Sequence, residues 1–159
     1  MMTRLRRLRG VGNDRGVNMV EAAIITPLLL FLTFAIVDFS ALTYVYLALE
    51  NGVSQATRFG ITGATSAGPS GPMTRADSII AKMRDATPTL TIPDGAFVFT
   101  HMPEGSTSWA GGVGGPGSIQ RVQVNYTWTL YTPFMRPLFP GGQVNISVSS
   151  TMKTESYVE

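Results

Sequence analysis

The chain of 159 residues contains no cysteine and a single histidine, His101. The first absence excludes a disulfide framework and any thiolate metal site. The second leaves a histidine-rich metal centre or a Ser-His-Asp triad only one residue to be built around. His101 has no supporting motif beside it and reads as a strand-end residue. The glycines of SWAGGVGGPGS at 108–118 precede a strand rather than a helix and carry no lysine, so they lack the parts of a phosphate cradle. They read as an exposed loop, in which Trp109 has two readings, an adhesive or partner contact or, the plainer one, an aromatic folded over the loop's own base. NYT at 125 and NIS at 145 match the glycosylation pattern, a weak signal. No internal repeat is present. These absences leave no enzyme reading, and the expectation is a non-catalytic chain with no metal, no cofactor and no small-molecule substrate.

Charge is also scarce, at 14% Asp, Glu, Lys and Arg, and it is unevenly placed. Arg4, Arg6, Arg7, Arg9 and Arg15 fall within residues 1–16, opposed only by Asp14. From Val17 onward seven basic residues face nine acidic ones, so the main body is slightly acidic and a poor nucleic-acid binder.

The long apolar run is what the sequence does have. AAIITPLLLFLTFAIV, between Glu21 and Asp38, is uncharged, and with VNMVE in front it makes about 31 Å of helix, one bilayer crossing. The arginines on its N-terminal flank place residues 1–16 in the cytoplasm as a basic leader and everything after residue 38 outside, by the positive-inside rule. A cleavable secretory signal is the competing reading. Its small-x-small site would fall at Thr33 and Ala35, leaving Ile36 and Val37 behind the cut.

Beyond a span at 17–38 the helix is expected to continue over 39–60, because Phe39, Leu42, Tyr46, Leu49, Val53 and Ala56 recur in steps of three and four. The plainer use of that stripe is to cover the protein's own sheet. The sharper use is that part of it packs on neighbouring copies. Gly60 marks a stop, with Arg58 suited to the negative end of the helix dipole. Residues 61–73 read as a surface connection. Thr74 with Asp77 caps a short helix that Pro88 ends, its apolar side being Ile79, Ile80 and Met83. Strands follow at 89–92, 96–102 and along a run in which Val122, Val124, Tyr126, Trp128 and Leu130 share one face. PFMRPLFPGG at 133–142 is a wide turn, and Val144, Ile146 and Val148 begin another strand. The expected fold class is α+β: a long N-terminal transmembrane helix continuing into a small exported domain, 61–159, with a short helix and an antiparallel β-sheet.

The most informative segment is RGVNMVEAA at 15–23, where a basic leader ends in Gly16 and a lone carboxylate, Glu21, sits inside the apolar run. A carboxylate in lipid costs a few kcal/mol by insertion scales, so it calls for a partner or an interfacial position. The arrangement resembles the class III signal of type IV pilins and pseudopilins. More narrowly, VEAAIITPLLLFLTFAIVDFSALTYVYLALENGVSQATRFG, with the closing ISVSSTMKTESY, resembles the TadE-like proteins of the tight-adherence (Tad, Flp) pilus system. The resemblance implies cutting by a prepilin peptidase after Gly16, a new N-terminus at Val17, and pairing of Glu21 with the freed amine of a neighbouring subunit. It further implies an inner-membrane location, a periplasmic domain, and other Tad pilus or pseudopilin subunits and their assembly platform as partners. Phe39, Leu42 and Tyr46, with Glu21, are the candidate subunit contacts. Ala22 stands where processed members usually carry an aromatic residue, so an uncleaved single-pass anchor whose exported domain binds other envelope or secretion components remains the alternative.

Overall fold

The computed structural model describes residues 14–68 and 71–157. One helix, α1 (Asp14–Gly60), takes up 47 of them and is about 70 Å long at 1.5 Å per residue. Its residues are mostly good helix formers, and the hydroxyls that would compete for the backbone are turned inward on it. Thr33, Ser40, Thr43 and Thr57 donate to the carbonyls four positions earlier at 2.8, 2.7, 2.9 and 2.7 Å, which satisfies these hydroxyls within the helix itself. Pro27 lies inside the helix, where it removes one backbone donor without ending α1.

The C-terminal end of α1 is closed from another element. Arg75 donates from Nη2 to the Gly60 carbonyl at 3.0 Å and from Nη1 to the Gly114 carbonyl at 2.6 Å, answering a helix-end oxygen that has no partner within the helix. Arg58, expected to serve the helix dipole, is exposed. Gly60 is the last helical residue, and its value is space. A Cβ there would lie 2.8 Å from Ile79 Cδ1 and 2.9 Å from Gln120 Nε2.

The connection expected at 61–73 holds a minimal hairpin, β1 (Ala67–Gly68) with β2 (Gly71–Pro72). Then α2 (Arg75–Ala86) starts on the Thr74 cap as the sequence predicts. The Asp77 amide donates to Thr74 Oγ1 at 3.1 Å, and that hydroxyl donates to Asp77 Oδ2 at 2.7 Å. Ile79 and Met83 are buried against α1. The two helices approach closely at Gly52, where a Cβ would meet Thr87 Cγ2 at 2.6 Å.

Four antiparallel strands complete the fold: β3 (Phe97–Met102), β4 (Ala110–Gly111), β5 (Ile119–Thr129) and β6 (Gln143–Lys153), in the order β4-β3-β5-β6. Alternation decides their faces. Val122 and Val124 of β5 with Ile146 and Val148 of β6 turn inward onto Val45, Leu49, Val53 and Ala56 of α1, and Ile79 and Met83 join the same core. On the outer face polar side chains pair across strands, Thr127 Oγ1 to Asn145 Oδ1 at 3.0 Å and Gln123 Nε2 to Ser147 Oγ at 3.1 Å. The result is the α+β arrangement of a long apolar helix, a short helix and antiparallel sheet.

Two expectations are corrected. Residues 89–92 are not a strand, because the backbone is used otherwise: the Leu90 amide bonds to the Thr87 carbonyl at 3.0 Å, and the Ile92 carbonyl accepts from Arg84 at 2.8 Å. The helical stripe is also rotated. Val45 is buried, whereas Phe39 and Tyr46 remain 62% and 46% exposed. A stripe stepped at 3.5 residues drifts by about 20° per heptad on a straight helix, so its later members, Leu49, Val53 and Ala56, are fully on the core side while Leu42 is half-buried against it.

Candidate functional site

The functional surfaces lie along α1, and its first turns carry the predicted processing residues. The Gly16–Val17 bond lies within the helix, close to its start at Asp14. Val17 and Glu21 stand four residues apart on one face, and both are exposed. The ion pairs among the described residues, Arg84–Asp94 and Lys153–Glu104, leave Glu21 out. Of the topology arginines, Arg15 falls within α1, while Arg4, Arg6, Arg7 and Arg9 lie outside the described residues.

Past Glu21 the helix presents apolar side chains in every direction. Its most apolar 18-residue window has a mean hydropathy of 2.3, and none of it is buried by the rest of the protein. Ile24, Leu28, Leu29, Leu32 and Ile36 are each more than half exposed. A helix of a soluble core would hide such residues; one that stays apolar all round without protein cover meets the requirement for lipid.

Asp38 ends this wall and is only 3% exposed. Its Oδ1 accepts from the Tyr131 amide at 2.9 Å, its Oδ2 accepts from the Thr132 amide at 3.3 Å, and the Thr132 hydroxyl donates to it as well. A buried carboxylate demands such donors. The bonds fasten the β5–β6 connection to α1 where the lipid-compatible wall gives way to the domain.

Above Asp38 the structure brings the three predicted contact residues of α1 together. Phe39, Leu42 and Tyr46 form one wall of an open groove, and Val144 and Ile146 of the edge strand β6 line the other side. Leu42 is shared, being half-buried against the core, while Phe39 and Tyr46 face outward. The β6 wall was not among the residues singled out from sequence; its alternation was visible, but not that α1 would lie beside it. Nor was Thr132, whose bond to Asp38 bridges 94 positions of chain.

The remaining chemistry-bearing residues are occupied structurally. His101 bonds through Nδ1 to the Gly112 carbonyl at 3.1 Å, and Trp109 lies under the Arg121 guanidinium, 4.0 Å from its ring centre, over the neighbouring sheet. Among the described residues no three His, Cys, Asp or Glu side chains cluster so as to hold a metal ion.

A continuous helix with an uncovered apolar half, joined to a small α+β domain packed on its other half, defines a single-pass membrane protein. Within that class, residues 16–58 match the family model described as TadE-like protein. The match runs along nearly all of α1, including Glu21, Asp38 and the groove residues Phe39, Leu42 and Tyr46, and stops before the sheet. No curated protein and no solved structure matches the chain.

Proposed function

We propose that the protein is a minor pilin or pseudopilin-like component of Tad pilus assembly, working by membrane insertion and helix association rather than by catalysis. The observation that carries this reading is the TadE-like match over residues 16–58, which associates the chain with Tad pilus systems. The form of α1 supports it: an uncovered apolar segment bearing one exposed carboxylate, Glu21, near its start. In the proposed route the span enters the inner membrane with residues 1–16 in the cytoplasm and the domain in the periplasm. A prepilin peptidase then cuts between Gly16 and Val17. Glu21 meets the freed amine of a neighbouring Tad pilus or pseudopilin subunit, where low dielectric strengthens the attraction of opposite charges. Phe39, Leu42 and Tyr46 supply apolar contact beyond the membrane.

Two observations favour a second reading, a permanent anchor whose domain binds other envelope components. Ala22 follows Glu21 in place of the aromatic residue usual in processed members, and the Gly16–Val17 bond lies in helix, which a peptidase must unwind. Intact mass and N-terminal sequencing of the protein from membranes, with and without the prepilin peptidase, separate the two. A start at Val17 that depends on the peptidase is expected; residues 1–16 retained in both cases would establish the anchor.

A further inference from the structure

The connection between β5 and β6 carries a second apolar surface at the level of the span. Tyr131, Phe134 and Leu138 are 63%, 70% and 61% exposed, and Arg136 is the only charged residue between β5 and β6. The segment folds back along α1 instead of projecting from the domain. Phe134 stacks on Phe34, with ring centres 6.2 Å apart and planes 11° apart. The two rings share an apolar recess with Thr26, Pro27, Leu30 and Phe31.

Helix geometry gives the depth. Phe34 lies about 6 Å, and Leu30 about 12 Å, to the N-terminal side of Asp38. The uncharged run from Ala22 to Val37 is only about 24 Å long, against about 30 Å of hydrocarbon, so no placement of the span lifts Phe34 out of the bilayer. The segment stacked on it is built for that depth. Pro133, Pro137 and Pro140 have no amide hydrogen to satisfy. The amides of Tyr131 and Thr132 are taken by Asp38. Those of Met135, Leu138, Phe139 and Gly142 bond to carbonyls three residues back, at 3.2, 3.1, 3.1 and 2.9 Å. Irregular backbone exposed to lipid does not occur within the hydrocarbon core, so a loop with most but not all of its amides satisfied internally suits the boundary region, where headgroups and water reach the rest.

We propose that residues 131–139 are a lipid-inserted loop, entering the boundary between headgroups and acyl chains in the leaflet on the domain's side. Tyr131, Phe134 and Leu138 meet the acyl chains, and Arg136, whose Nε donates to the Leu130 carbonyl at 3.0 Å, offers its remaining guanidinium N–H groups to the phosphates. The loop and the span then hold the domain at a fixed angle on the membrane, with Asp38 as the clasp between them.

This inference rests on the single-pass reading, and the experiment tests both. Because the chain has no cysteine, single-cysteine variants of the full chain can carry an environment-sensitive fluorophore in phosphatidylcholine–phosphatidylglycerol vesicles containing nitroxide lipids. Phe134→Cys and Leu138→Cys probe the loop, Leu29→Cys the span, and Thr107→Cys the far end of the domain. At 134 and 138 the expected result is blue-shifted emission and loss of intensity, greatest with nitroxides near the headgroup. At 29 the loss is greatest with nitroxides near the chain ends, and at 107 there is none. Water-like, unquenched emission at 134 and 138 with quenching at 29 would overturn the loop proposal and leave the span standing. Labels at 134 and 138 that are shielded from water, unquenched by lipid and cross-linkable to a second copy would assign the loop to a protein contact, overturning it equally. Absence of quenching at 29 would remove span and loop together.

Discussion

Asp38 shows what a single carboxylate does at the junction of two environments. It closes the apolar wall, and by accepting from Tyr131 and Thr132 it ties a distant connection to α1. Replacing it with alanine strands buried donors, at a cost of about 1–3 kcal/mol for each group left unsatisfied. Asp38→Ala is therefore expected to lower the urea midpoint of the detergent-solubilised protein, and Asp38→Asn, which keeps one acceptor oxygen, to lower it less. Equal midpoints for wild type and Asp38→Ala would show that water replaces the carboxylate freely. The lone acid after the span was legible in the sequence. Its partner was not, because neither periodicity nor composition marks Thr132 across 94 positions. The same limit applies to Arg75, which closes the end of α1 from outside it, in addition to Arg58, which lies in the last turn as the sequence placed it.

α1 has two halves with different surroundings, and substitutions should separate them. Leu49 is fully buried between sheet and helices, so Leu49→Ala is expected to cost about 2–5 kcal/mol in an unfolding titration. Tyr46, three residues earlier, projects from the groove, and Tyr46→Ala should change stability by no more than about 0.5 kcal/mol. A large loss at Tyr46 would mean that the groove wall belongs to the core. Gly52→Ala forces a methyl toward Thr87, and overpacking of this kind costs about 1–3 kcal/mol. The elements with sustained periodicity, α1, α2, β5 and β6, were readable because each repeats one local rule over many residues. The segment at 89–92 was misread because four alternating residues suit a strand only when a neighbour offers a ladder, and here a turn and Arg84 take the backbone. The exact face of α1 was lost for a related reason: the sequence shows a stripe, but the drift between a 3.5 and a 3.6 repeat is settled by what packs against it.

For the whole molecule, folding and proposed assembly use separate parts of the chain. The core draws on α1 from Val45 to Ala56, on α2 and on the sheet, whereas Glu21 lies near the start of the uncovered span, far from that core, and is exposed. Glu21→Ala should accordingly leave the urea midpoint of the purified protein unchanged. It should also leave insertion intact, since removing a carboxylate from an apolar run lowers the cost of entering lipid. Co-purification with other pilus components should fall, because the attraction to a neighbour's amine disappears while its burial cost remains. The contrast between the two measurements carries the information. Loss of stability and of co-purification together would place Glu21 in the fold. Unchanged co-purification at unchanged stability would take the carboxylate out of assembly and leave the groove of Phe39, Leu42 and Tyr46 as the remaining contact on α1.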